Sequence, residues 1–328
     1  MAWTPLLAFV LYRFQLGKRI RTSTEAPVFA ALHSKKAGTP TMGGLLIWVT
    51  AIAVAVIFWA FAVLWPKSFS GLNFLTRAET WLPLFALVAA GIVGCADDLM
   101  NVWGLGGAGG GLRVRHRLLL YAVIAAIGAW WFYAKLGWDT LHIPLAGDVV
   151  MGWWYLPFFL LVIVATSHSL NITDGLDGLA GGVALIVLGV YAAIALTIGK
   201  YDLAALTMVT MGSLLAFLWF NIYPARFIMG DTGAMSLGVF IGILAMLTNT
   251  ALILPLIAFI LVLESLSVIV QVGTKRILGR KLFISTPFHH HLEAAGWPEP
   301  KVVMRLWVVS GVMAALGFAL FLVDRAFR

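Results

Sequence analysis

Cysteine is almost missing from this chain: Cys95 is the one example in 328 residues. An internal disulfide is therefore excluded, and so is a zinc site built from several thiolates. Charge is scarce as well. Only 11% of the residues are Asp, Glu, Lys or Arg against 62% hydrophobic, and the 14 acids are outnumbered by 22 bases. That composition excludes a water-soluble domain and a disordered tail, and it defines an integral membrane protein. The net charge of +8 is assigned to membrane topology and contact with anionic lipid, with no nucleic-acid partner. Residues 1–16 have no basic region before their apolar stretch and no small-residue cleavage site, so a retained helix is expected there rather than a signal peptide.

What the chain does have is long apolar runs. A spanning helix needs roughly 20 apolar residues, and the candidate segments are 1–16, 44–65, 80–96, 117–135, 152–170, 178–198, 203–222, 234–249, 250–272 and 302–323, the first of them short. The expected fold is all-α and polytopic, with about ten transmembrane helices in a single domain over residues 1–328. Alternating the loops between the two sides puts Lys18, Arg19, Arg21, Lys35, Lys36, Arg113, Arg115, Arg117, Arg226, Lys275, Arg276, Arg280, Lys281, Lys301 and Arg305 at or beside one set: 17–43, 97–116, 171–177, 223–233 and 273–301. The opposite side has only Lys67, Arg77, Lys135, Lys200, Arg325 and Arg328. By the positive-inside rule the first set is cytoplasmic, and an even span count puts both termini on the periplasmic or extracellular side.

Against this sparing use of charge, Asp97, Asp98, Asp174, Asp177 and Asp231 all fall at the cytoplasmic ends of spans. Carboxylates at membrane depth are costly unless paired, metal-bound or facing water. Capping of a helix by Asp174 would explain one of them, not the set. In "NITDGLDGLAGG", Asp174 and Asp177 are three apart, which puts them on one face if the helix has already begun. In "GCADDLMN", adjacent aspartates repel and call for a compensating cation. Magnesium fits that need, because it takes a few carboxylates, several waters and a substrate phosphate. Asp231 in "FIMGDTGAMSLG" adds a further acid. These parts suit phosphoryl transfer, with Lys35, Lys36, Arg113, Arg115 and Arg117 on the same side to hold the remaining charge.

Two other motifs stand apart from this acidic set. "GLGGAG" at 104–109 has the dinucleotide glycine spacing but follows a membrane span, not a strand, so no such cofactor is expected. "PFHHHLE" sets His289, His290 and His291 in a loop whose imidazoles suit phosphate and sugar oxygens, with His289, beside Pro287 and Phe288, the structural member.

Taken together and in this order, "HSKKAGTPTMGG", "DD", "NITDGLDGLAGG", "WFNIYPARFIMGDTG" and "PFHHHLE" resemble the phospho-N-acetylmuramoyl-pentapeptide transferase family, part of the polyprenyl-phosphate N-acetylhexosamine-1-phosphate transferases. The resemblance covers residues 33 to 293. It implies a magnesium enzyme of the bacterial cytoplasmic (inner) membrane, acting at the cytoplasmic face in peptidoglycan synthesis. The implied substrates are UDP-N-acetylmuramoyl-pentapeptide and undecaprenyl phosphate, with UMP released, and the fold is compatible with a homodimer. Carried over residue by residue, Asp97, Asp98 and Asp231 are catalytic, Asp231 as magnesium ligand and Asp97 as base. Lys36, Thr41, Asn171, Asp174, Asp177, Asn221, Gln271, His290 and His291 line the substrate cavity. Pro255 is expected to kink the ninth span and open a groove for the polyprenyl tail.

Three positions depart from the family pattern: Asn101 and Arg117 stand where lysines are usual, and Ile228 stands where a phenylalanine is. A UDP-N-acetylglucosamine transferase acting on the same lipid would share the aspartates but not "PFHHHLE". A membrane transporter would carry buried charge too, but at the midplane and with an internal repeat.

Overall fold

The computed structural model describes residues 1–14, 16–17, 38–75, 79–106 and 110–327. They form a helical bundle in the order α1 (Thr4–Arg13), α2 (Leu45–Leu64), α3 (Trp81–Trp103), α4 (Val114–Trp130), α5 (Tyr155–Thr173), α6 (Leu179–Thr197), α7 (Tyr201–Asn221), α8 (Gly230–Leu247), α9 (Phe259–Leu278), α10 (Phe288–Ala294) and α11 (Glu299–Ala326). Among the described residues, eight helical segments are long and apolar enough to cross a membrane. The other two expected spans are α1, ten residues and so about 15 Å long, and α9, whose 20 residues include Glu264, Lys275 and Arg276.

The bundle is built around α8. Every residue of "GDTGAMSLGVFIGILAML" is buried, as expected of a helix that is apolar all round. Its small residues at 230, 233, 234, 236, 238, 242 and 245 let α3 and α5 approach closely, the usual route to tight packing between membrane helices. A methyl group on Gly238 would meet the Ser167 backbone of α5, and one on Gly94 of α3 would meet the backbone of Asp231. The first turn of α8 is thereby pressed against the polar ends of its neighbours.

Several boundaries differ from the hydropathy reading. Helix α3 continues to Trp103, closed by Gly104 in the left-handed conformation, so Asp97 and Asp98 lie inside a helix rather than in the following loop. Helix α8 starts at Gly230, which puts Asp231 in its first turn. The fold is also not purely helical: Thr140–Ile143 and Gly147–Val150 pair as an antiparallel hairpin between α4 and α5. The hairpin is tied to the end of α11, because His142 Nε2 lies 2.8 Å from Asp324 Oδ2 and Leu145 N donates to Asp324 Oδ1 at 2.6 Å.

Pro255 does not act as a kink. It occupies the first turn of a short helix, Leu254–Ile257, where no intrahelical amide bond is lost. The break before α9 comes later, at Ala258 (φ −102°, ψ 37°).

Candidate active site

Three helices, α3, α4 and α5, bring polar side chains to the start of α8. Arg117, in the first turn of α4, reaches three groups at once. Its Nε is 2.6 Å from Asp97 Oδ2, a terminal nitrogen is 3.0 Å from Asp231 Oδ2, and the other donates to Asn171 Oδ1 at 3.3 Å. Asn171, in the last turn of α5, donates to Asp231 Oδ1, and Leu112 N donates to Asp97 Oδ1 at 2.5 Å. Thus Asp97, Asp231 and Asn171, expected to meet, do converge. The cation beside the aspartate pair is the guanidinium of Arg117. Asp97 Oδ2 is buried, yet its contact with Arg117 lacks hydrogen-bond geometry, so this oxygen has charge beside it and no donor.

Asp98 faces away from its neighbour. Its Oδ2 accepts from Thr232 N at 2.9 Å and Thr232 Oγ1 at 2.7 Å, and its Oδ1 accepts from Thr41 Oγ1 at 3.2 Å. It therefore satisfies one amide and a hydroxyl in the first turn of α8, where the helix dipole also favours a negative charge. Gly230 stands beside this cap at φ +71°, and a methyl group there would strike Asp98 Oδ2 and Thr41 Oγ1. Asp98→Ala is expected to destabilise the fold by about 1–3 kcal/mol, the penalty for leaving a buried donor unmet. A lower melting temperature in detergent would register it, and an unchanged one would contradict the capping role.

Asp174 and Asp177 do not share a helical face. Helix α5 ends at Thr173, residues 174–178 turn, and α6 begins only after Gly178 in the left-handed conformation. The two carboxylates diverge along the loop before α8: Asp174 accepts from Gly230 N and Asp177 from Ala225 N, each at 3.0 Å. Asp174 therefore helps cap α8, not α6.

The remaining expected site residues brace loops around this centre. Asn221 accepts from Gly178 N and donates to Phe227 O, both at 3.0 Å. Gln271 on α9 accepts from Leu282 N and Phe283 N and donates to Phe283 O. "PFHHHLE" is a short helix, α10, not a loop: Pro287 precedes it with extended backbone and the histidines fall on successive faces. His290 Nδ1 lies 2.7 Å from Glu293 Oε2, and His291 Nδ1 accepts from Ile284 N at 3.2 Å. His289 is fully buried, with Nδ1 3.0 Å from Glu264 Oε2 and Nε2 against Gly175, so its structural reading fits its surroundings. Lys36 and residues 107–109 of the glycine-rich stretch lie outside the described residues.

Three contributors escaped the motif reading. Glu264 is the one acid in the 250–272 run, and a charge inside a span was the available signal. His168, one turn before Asn171 on α5, has a buried Nδ1 with no hydrogen-bond partner, but a lone histidine in an apolar run carries no signal. Thr232 was hidden because capping of α8 from α3 is a tertiary feature.

The residues fit magnesium. Asp97 and Asp231 face one cation, Asn171 adds a hard amide oxygen, and Asp97 Oδ2 is a buried acceptor without a donor. Among the described residues no group of three or more His, Cys, Asp or Glu could hold a metal by itself. One or two carboxylates completed by water and phosphate is the arrangement magnesium favours.

An acidic site at the ends of membrane-length apolar helices, facing a central buried helix, marks a polytopic membrane protein. Residues 80–249 match the family model Glycosyl transferase family 4, and residues 36–47 match Phospho-N-acetylmuramoyl-pentapeptide-transferase signature 1. The chain is 39% identical over 316 residues to the phospho-N-acetylmuramoyl-pentapeptide-transferase of Geobacillus thermodenitrificans, covering 96% of this chain and 92% of that one. It is 38% identical over 320 residues to the Moorella thermoacetica enzyme of that name (96% and 93% covered) and 34% identical over 316 residues to the Clostridium novyi one (96% and 91%). The chain belongs to the phospho-N-acetylmuramoyl-pentapeptide-transferase family.

Proposed function

We propose that this protein transfers phospho-N-acetylmuramoyl-pentapeptide from its UDP carrier to undecaprenyl phosphate, releasing UMP and forming the first lipid intermediate of peptidoglycan synthesis. The observation that carries this reading is the convergence of Asp97, Asp231 and Asn171 on one cationic group beside the start of α8, in a chain bearing the family's signature. The protein is a multi-pass protein of the bacterial inner membrane, with ten spans once α1 and α9 are included, periplasmic termini and a cytoplasmic site.

In the reaction a phosphate oxygen of the lipid attacks the sugar-bearing phosphorus of the donor. The new bond forms a lipid-linked diphosphate, and the bond to the nucleotide phosphate breaks, so its electron pair leaves with UMP. Asp97 takes the proton of the lipid phosphate, in keeping with a buried carboxylate oxygen that has no donor of its own. Asp231 would hold magnesium, which when bound would supply positive charge against the diphosphate. Arg117 supplies a second positive charge at the same place, and Asn171 orients Asp231. Lys36, Thr41, Asp174 and Asp177 serve the nucleotide-sugar, Asp174 by fixing the turn against Gly230. Asn221 and Gln271 shape the cavity by bracing its loops. His290 and His291 meet the muramoyl-peptide.

The test is UMP release from purified protein given undecaprenyl phosphate, magnesium and either UDP-N-acetylmuramoyl-pentapeptide or UDP-N-acetylglucosamine. Release with the first donor supports the assignment, whereas release with only the second moves it to the N-acetylglucosamine-phosphate transferases. A companion series separates the histidines. Replacing His290 or His291 with alanine is expected to lower kcat/KM by roughly ten- to a hundredfold, the worth of a charge-assisted contact. His289→Ala should instead lower the melting temperature first, because it removes the imidazole beside the buried Glu264 and leaves that carboxylate with the backbone amide of residue 289. Early melting with normal efficiency in the His290 and His291 variants would make α10 a brace.

A further inference from the structure

The feature left unexplained by this chemistry is the form of the Arg117 contact. A planar guanidinium spans Asp97 Oδ2, Asp231 Oδ2 and Asn171 Oδ1 in one fork, with a further approach of 3.5 Å to Asp231 Oδ1. A lysine ammonium has three donors too, but all on one nitrogen, so it cannot reach separated acceptors with the rigid planar fork of a guanidinium. The fork is nevertheless imperfect. Its Nε lies 2.6 Å from Asp97 without hydrogen-bond geometry, so at that carboxylate it supplies charge and no aligned donor. The rest of the Asp97 and Asp231 shell is fixed by Leu112 N and Asn171, so the carboxylates keep their places if the arginine leaves. Its side chain is one-fifth exposed while Asp97 is fully buried, which gives the guanidinium a way out that the carboxylates lack.

From this arrangement we infer that Arg117 is a displaceable counter-cation: it and the divalent metal use Asp231 Oδ2 in turn, and when the metal enters, the guanidinium swings onto the donor's diphosphate and leaves Asp97 Oδ2 clear to act as base. The inference rests on the magnesium reading above. Two cations at the same Asp231 carboxylate repel each other at short range. A diphosphate arriving with the metal removes the conflict, because it brings the negative charge that an arginine fork binds best. Arg117 thereby makes metal binding weak until the anionic substrate is present, and couples the two. No bond is made or broken in the exchange.

The experiment measures Mn2+ binding by paramagnetic resonance, with Mn2+ as a probe for a hard divalent cation, on the full-length protein in detergent without substrate. Wild type, Arg117→Lys, Arg117→Met and Asp231→Asn are compared, with melting temperature followed with and without the ion. Arg117→Met is expected to bind Mn2+ at least about tenfold more tightly than wild type, as expected when a charge-assisted competitor is lost. Arg117→Lys should fall between them. The melting temperature of both variants should rise more on adding the ion than that of wild type, since a ligand that binds the folded state more tightly stabilises it more. Should Arg117→Met be too unstable to purify, Arg117→Lys alone decides. If Asp231→Asn abolishes binding while both Arg117 variants bind no more tightly than wild type, Arg117 is a fixed support and the inference fails alone. If no variant binds Mn2+, the inference and the magnesium reading fall together.

Discussion

Asp231→Asn is expected to reduce UMP release by about a thousandfold or more while the bundle stays folded. The substitution keeps the shape of the side chain and removes its charge. Three consequences coincide at one atom pair: the proposed metal ligand is lost, the 3.0 Å ion pair with Arg117 is lost, and the Asn171 amide faces another amide instead of a carboxylate. Stabilisation of developing phosphate charge by a metal is worth several kcal/mol, and each ~1.4 kcal/mol is tenfold in rate. The fold should survive, because the rest of α8 is held by its own apolar packing and by the caps from Asp98 and Asp174. Turnover and melting temperature measured together check this. Wild-type turnover would remove Asp231 from the chemistry, and a collapse of the melting temperature would make its role structural.

Gly94→Ala should be almost as damaging, though it adds only a single uncharged methyl group. On α3, one turn before Asp97 and Asp98, that methyl would overlap the Asp231 carbonyl and crowd Thr232 N. The obstacle is backbone, so no rotamer change relieves it. Either α3 or the first turn of α8 must shift, and the contacts of Asp98 with Thr232 and of Arg117 with Asp231 shift with it. Overpacking a well-filled core costs about 1–3 kcal/mol, and a displacement of about 1 Å at a reacting centre costs roughly a hundredfold in rate. Gly189→Ala is the control, since its methyl would meet only a flexible Met211 side chain at 3.6 Å. Equal behaviour of the two variants would contradict close approach at Gly94 as the device that seats α8.

The bundle was legible because membrane helices announce themselves by length and hydropathy: every expected span overlaps a helix, from Thr4–Arg13 to Glu299–Ala326. The acidic centre was legible because a chain so poor in carboxylates placed five of them at one end of its spans. What could not be read was which groups those carboxylates meet. Asp97 and Asp98 are adjacent in sequence yet serve different partners, because successive residues on a helix point in different directions. Asp174 and Asp177 are separated by a turn whose course is set by the loop before α8. The hairpin at 140–150 is short, and its anchor, Asp324, is 182 residues from His142. The burial of His289 depends on Glu264, which is 25 residues earlier on another helix. Motif reading finds the clustered acidic groups, while the bracing contacts arise only once the helices are packed.

The most direct test of the central claim is the mass of the lipid product. Purified protein in detergent with magnesium, undecaprenyl phosphate and UDP-N-acetylmuramoyl-pentapeptide should yield undecaprenyl diphosphate carrying the intact N-acetylmuramoyl-pentapeptide, with one UMP released per molecule. Asp231→Asn protein under the same conditions should yield almost none. A product that carries only N-acetylglucosamine when both donors are offered, or no lipid-linked diphosphate from folded wild-type protein, would contradict the account.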